Sequence, residues 1–192
     1  MRARVLPFLL LTIAACSSRV AATPAQAHAR LVAAVAAHDS TLLWKALDQE
    51  TQWSWMTIQR AWREAYDITQ SVVPEGPERV RLLARFEPGA ICEDARALFA
   101  RMLTTEEWTR LQGLVNATGS KTPAMTTTGE RSEITTPLGP MLYRKGQGEH
   151  AGWGYAGLAE RADQMKFVAT ADLERMRRDA ADYERAAIRG SI

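Results

Sequence analysis

"AMTTTGERSEITTPLGPMLYRKG", residues 124 to 146, is where the character of the chain changes. Upstream, apolar residues recur every three or four positions. Here no such stripe exists, and Thr, Gly and Pro dominate. "AMTTTG", "SEITTPLG" and "PMLYRKG" read as short β segments, and "GWGYAGLAER" (152 to 161) as another. Thr118-Gly119, Leu138-Gly139-Pro140 and Gly146-Gln147-Gly148 supply the turns between them. "DQMKFVAT" (163 to 170) alternates weakly and reads as one more strand. Helices first and strands later predict an α+β class, with a helical N-terminal half, a small antiparallel β-sheet and a C-terminal amphipathic helix.

Outward from that stretch, the helices are legible by period. Residues 26 to 37 are alanine-rich, with Leu31 and Val35 four apart. Asp39 or Ser40 caps a short helix carrying Leu43, Ala46 and Leu47. From about Gln52 to Ser71, Trp55, Ile58, Trp62, Ala65, Tyr66 and Thr69 form an apolar stripe. "PEGP" (74 to 77) ends it. Pro77 opens "ERVRLLARF", and Pro88-Gly89 is expected to break the chain again. Ile91, Ala95, Leu98 and Met102 then share a face. Thr104 and Glu107 have capping-box spacing, ahead of Trp108, Leu111, Leu114 and Val115. The last helix is expected to start at Thr170, with Leu173, Met176, Ala180, Tyr183 and Ala187 as its stripe.

The first residues carry a different kind of signal. Arg2 and Arg4 precede the uncharged run "VLPFLLLTIAA" (5 to 15). Eleven residues make about 16 Å of helix, half of the ~30 Å hydrocarbon core, so the run is too short to span. It has the n- and h-regions of a secretory signal. Ile13-Ala14-Ala15-Cys16 resembles the lipobox of bacterial lipoproteins: an aliphatic residue, two small residues, then cysteine. The resemblance implies cleavage before Cys16 and acyl chains such as palmitate on that residue. Ser17, where an aspartate would retain such a protein at the inner membrane, implies the outer membrane, facing the periplasm. The alternative is an ordinary signal cut after Ala22 or Ala27. The expected organisation is a signal peptide at 1–15, a lipidated Cys16 with a flexible tether at 16–25, and one α+β domain at 26–192.

Cleavage there leaves 177 residues, enough for one domain with a proper core. Loss of Arg2 and Arg4 leaves 22 basic against 22 acidic side chains. A balanced surface has none of the basic stripe that nucleic acid requires. Cys92 is the remaining cysteine and reads as a small buried apolar residue.

"AAVAAHDSTLLWKALDQET" (33 to 51) is similar to the opening of NTF2-like domains, cone-shaped α+β folds found in secreted bacterial proteins. There a first helix ends at a small-polar turn, a short helix follows, and the strands come late. The resemblance implies a curved sheet with a hollow mouth and therefore a pocket. Residues 77 to 115 and the C-terminal helix lie outside that pattern.

Chemistry-bearing patterns are sparse. His28, His38 and His150 form no metal-ligand spacing, and neither a nucleophile elbow nor a phosphate loop occurs. No metal and no cofactor is called for. "GQGEHAGWGYAG" (146 to 157) reads either as a permissive hairpin loop or as a mobile binding loop. In the second reading Trp153 and Tyr155 are apolar anchors and Glu149 and His150 polar partners. Trp53 falls off the helical stripe, which suits a membrane surface, a partner or a sugar ring. The resulting reading is a membrane-anchored envelope lipoprotein serving as a non-catalytic binding or assembly component. Its partners are lipid through Cys16 and either an envelope protein or a small ligand. The alternatives are a small NTF2-like enzyme using His150 or His38 with an acid, and a docking protein working through the C-terminal helix. An enzyme requires a His and a carboxylate in hydrogen-bond reach within a cleft.

Overall fold

The computed structural model describes residues 20–119, 123–148 and 151–190. Cys16, Glu149 and His150 lie outside the described residues. The class is α+β. Among the described residues the elements are α1 (Pro24–Ala36), α2 (Ser40–Ala46), α3 (Gln49–Val72), α4 (Pro77–Ile91), α5 (Ala95–Met102) and α6 (Thr105–Ala117). Strands β1 (Thr126–Thr128), β2 (Arg131–Thr136), β3 (Gly139–Lys145) and β4 (Trp153–Tyr155) follow, and α7 (Ala159–Gly190) ends the fold. The strands form one antiparallel meander in chain order.

Local chemistry sets the helix starts. Asp39 accepts from the Thr41 and Leu42 amides and caps α2. At α6 the Thr104 hydroxyl accepts from the Glu107 amide, while the Glu107 carboxylate accepts from the Thr104 amide at 2.8 Å. Asp94 caps α5 through the Ala97 amide. The core joins α1, α2, α3, α5 and the inner sheet face of Ile134, Met141, Tyr143 and Tyr155. Phe99 on α5 sits between Trp44 and Trp55, ring centroids 5.7 and 5.5 Å away.

Four sequence expectations change. Residues 163–170 are helical, not a strand, because α7 begins at Ala159 and runs parallel to α3. Its seam is Ala162, Ala169, Leu173 and Met176, all buried, while Phe167 stays 75% exposed. Thr170 is therefore no cap; its hydroxyl donates to the Lys166 carbonyl one turn back. Pro88-Gly89 does not break α4, which continues to Ile91. Gly89 lies against α3 so tightly that a Cβ there would come within 3.0 Å of the Trp62 Cβ; this packing holds the last turn despite the amide missing at Pro88. Ile91 ends α4 and is exposed rather than sharing the buried face of α5. Residues 20–25 belong to the fold and not to the tether. Ala21 is 1% exposed and accepts from the Trp153 amide at 2.8 Å, Val20 packs on Gly152, and Thr23 caps α1.

No described helix is long and apolar enough to cross a membrane. Beyond Met176, α7 is mostly exposed and polar, and its charges pair locally. Arg177 binds Glu64 and Glu174, and Arg185 binds Asp182.

Candidate functional site

The cleft with an unused polar group lies between α6, the start of α7 and the end of β4. The capping box fixes the first turn of α6, so Glu107, Arg110, Leu111 and Leu114 fall on one face. Opposite, Leu158, Glu160, Arg161 and Gln164 come from the entry to α7, and Tyr155 forms the floor. The cavity measures about 220 Å³, below the roughly 300–1,000 Å³ of sites that enclose drug-sized ligands.

Most of its polar wall is already satisfied. Arg161 binds the Glu107 carboxylate, donates to the Met102 carbonyl at 2.7 Å, and lies 5.8 Å over the Trp55 ring. Gln164 donates to Glu160. Two groups make no hydrogen bond to another described residue. Tyr155 is 2% exposed, and its hydroxyl makes no hydrogen bond among the described residues. Arg110 on the rim makes no ion pair or hydrogen bond there either. Burial pushes the Tyr155 phenol up to about 12, with Arg110 pulling partly the other way. The phenol thus keeps its proton near neutrality. It is a hydrogen-bond donor beside a cation, above Leu111, Leu114 and Leu158, and that arrangement accepts a small ligand with an anionic end and an apolar body.

A second cluster surrounds the start of α3. Asp48 is 2% exposed, and neither carboxylate oxygen has a hydrogen-bond partner of ordinary geometry among the described residues. Arg144 reaches to 3.6 Å of it, but the same guanidinium nitrogen pairs with Glu50. Burial raises the Asp48 pKa, and Thr51 and Arg144 oppose the rise. Alongside, the Ser54 hydroxyl donates to Asp163 at 2.7 Å and accepts from Lys166 at 3.0 Å. A serine next to a lysine suggests a nucleophile and its base. Here Ser54 is sealed in the α3–α7 seam, and Lys166 donates to Asp163 at 2.8 Å, which together with the Ser54 hydrogen bond keeps the Asp163 pKa low. The trio is a clamp between helices. A further cleft of about 200 Å³ between α4 and α7 is walled by pairs that satisfy each other, Arg81 with Glu78 and Arg85 with Asp172.

The residues singled out from sequence are dispersed. Trp153 and Tyr155 belong to strand β4 rather than to a loop. They lie on one face of β4, Trp153 half-buried and Tyr155 buried in the core where it also lines the cleft. Trp53 is 54% exposed on the first turns of α3, beside Lys145 and Gln147. His28 is buried, its Nδ1 2.7 Å from the Tyr143 hydroxyl, and desolvation lowers its pKa. His38 adopts a left-handed φ of 50° after α1 and stacks on Trp108 at 4.2 Å. Neither described histidine is hydrogen-bonded to a carboxylate. No group of three His, Cys, Asp or Glu side chains among the described residues is placed to hold a metal. Cys92 is buried as a free thiol. Sequence reading missed Arg110, Asp48 and Arg144; the one available signal was the spacing of Arg110 to Leu114 behind a capping box. No family model, curated protein or solved structure matches this chain.

Proposed function

We propose that this chain is a lipoprotein of the bacterial outer membrane, held by acyl chains on Cys16 and facing the periplasm. Its domain is a binding component that takes a small amphiphilic anion in the cleft over Tyr155. What supports the anchor is Ile13-Ala14-Ala15-Cys16 behind the basic head and apolar run. A cut before Cys16 also leaves every described residue in place, including the buried Ala21. Cleavage after Ala22 would remove Ala21 from its bridge to Trp153, and cleavage after Ala27 would also remove the Thr23 cap. The reading of the cleft rests on the Tyr155 phenol lying within electrostatic reach of Arg110, both lining an apolar-walled cleft.

Intact mass of the mature protein tests the anchor. The expected mass is that of residues 16–192 plus acyl groups, and a bare chain beginning at Thr23 or His28 overturns it. For the cleft, titration with benzoate is expected to shift the amide resonances of Gly157 and Leu158. Tyr155→Phe should weaken that binding by roughly 3- to 10-fold, one hydrogen bond's worth. It should leave thermal stability nearly unchanged, because the hydroxyl makes no hydrogen bond to another described residue. Absence of any benzoate-induced shift removes the binding role assigned to this cleft.

A further inference from the structure

Val20, Lys145 and Trp53 come from three distant parts of the sequence, and the fold gathers them at one end of the sheet. Val20 packs on Gly152, and the Gly152 carbonyl accepts from the Gly146 amide at 2.8 Å. The next residue, Gln147, donates its amide to the Gln49 side chain at 3.0 Å, which ties the loop to the first turn of α3. Trp53 and Lys145 line the same small cleft as Gln49 and Gln147. Trp53 leaves more than half of its surface in solvent, and Val20 leaves 41%. Of the two acids that line this cleft, Asp48 is buried and Glu50 pairs with Arg144.

Chain length decides what covers this end. Val20 is four residues from Cys16, and four residues reach at most about 14 Å when fully extended. That is less than the width of a small domain. An acyl group at Cys16 therefore holds this end, and no other, against the headgroups. Indole suits that position, since its ring is apolar and its N–H is wet, and a lysine ammonium suits anionic lipid beside it. Resting on the Cys16 anchor proposed above, we infer that the face of Val20, Lys145 and Trp53 lies on the bilayer surface with Trp53 inserted at the headgroup level. The domain is then not a free globule on a tether. It has a fixed orientation on the membrane.

The test supplies the anchor chemically, so that it does not depend on cellular lipidation. Residues 16–192, with Cys92→Ala to leave one thiol, are coupled through Cys16 to a maleimide-bearing phosphatidylethanolamine. The vesicles are phosphatidylethanolamine and phosphatidylglycerol, with or without brominated acyl chains. Brominated chains are expected to quench part of the tryptophan emission, and Trp53→Phe is expected to lose most of that quenching. Trp53 is exposed, so the variant keeps its fold, which circular dichroism verifies. Equal quenching in both proteins, or none in either, overturns the inference. A photo-cross-linker at position 53 that captures a protein in cells, with no quenching on vesicles, gives the face to a protein partner and also overturns it. An unacylated mature N-terminus in cells removes the anchor instead, a result separable from the vesicle outcome.

Discussion

Cys16→Ala is expected to move the mature protein from the membrane fraction to the soluble periplasm. The size of the effect follows from methylene burial, about 0.8 kcal/mol for each CH₂ placed in hydrocarbon. A single acyl chain binds only marginally, with an association constant of roughly 10⁴ M⁻¹, and a second chain turns marginal binding into stable anchoring. Nothing described in the domain replaces that, since no described helix is long and apolar enough to span. One exposed indole and one lysine orient an anchored protein without retaining a free one. The substitution also removes the cleavage position, and an uncut leader would hold the chain to the membrane for a trivial reason. The variant alone is therefore placed behind a leader removed by an ordinary signal peptidase, while the unsubstituted protein keeps its own leader, and the two mature chains have the same length. Equal membrane fractions for the two proteins would show that attachment does not run through Cys16.

How far the sequence reveals the fold depends on how local each cause is. The Thr104–Glu107 capping box, the Asp39 cap and the stripe of α3 are determined within a few residues, and each was legible. The hairpins were legible too, because turn residues and short β runs sit side by side. "DQMKFVAT" misleads for a physical reason. Its large apolar residues Phe167 and Val168 face solvent, while the contact with α3 is made by the small Ala162 and Ala169. Small residues let two helices approach closely but leave almost no hydrophobic period to read. Pro88-Gly89 misleads similarly, since a glycine that breaks a free helix is here the residue that lets α4 lie on Trp62. At the site, the exposure of Trp53 was readable from its place off the stripe. The burial of Tyr155 was not, because it depends on pairing with Tyr143 across strands and on Leu47 meeting the far edge of β4. Asp48 and Arg144 are ninety-six positions apart, and no spacing rule connects them.

Gly154→Ala is expected to be the most damaging conservative change in the domain. Replacing glycine by alanine commonly stabilises by about 0.4–1 kcal/mol through the unfolded chain, where the backbone geometry tolerates it. At position 154 there is no room. A Cβ would fall within 3.0 Å of the Asp48 nitrogen, the Asp48 Cα and the Leu47 carbonyl oxygen. All three are backbone atoms, so no side chain can rotate away. Relief requires β4 to separate from the α2–α3 connection. That separation would break the 3.1 Å bond from the Asp48 amide to the Tyr155 carbonyl and the bridge between Leu47 and Tyr155. It would also shift Asp48, whose buried carboxylate is already short of hydrogen bonds, and the Tyr155 floor of the cleft. Overpacking of this kind costs about 3 kcal/mol, and at 2–4 °C for each kcal/mol in a domain of this size the melting temperature should fall by roughly 6–12 °C. Gly113→Ala is the control. It lies inside α6, where alanine gains about 1 kcal/mol of helix propensity, and its new Cβ meets only the tip of the exposed Leu138 side chain. A melting temperature for Gly154→Ala as high as that of Gly113→Ala would mean that β4 does not rest on the start of α3, and the cleft built on that contact would go with it.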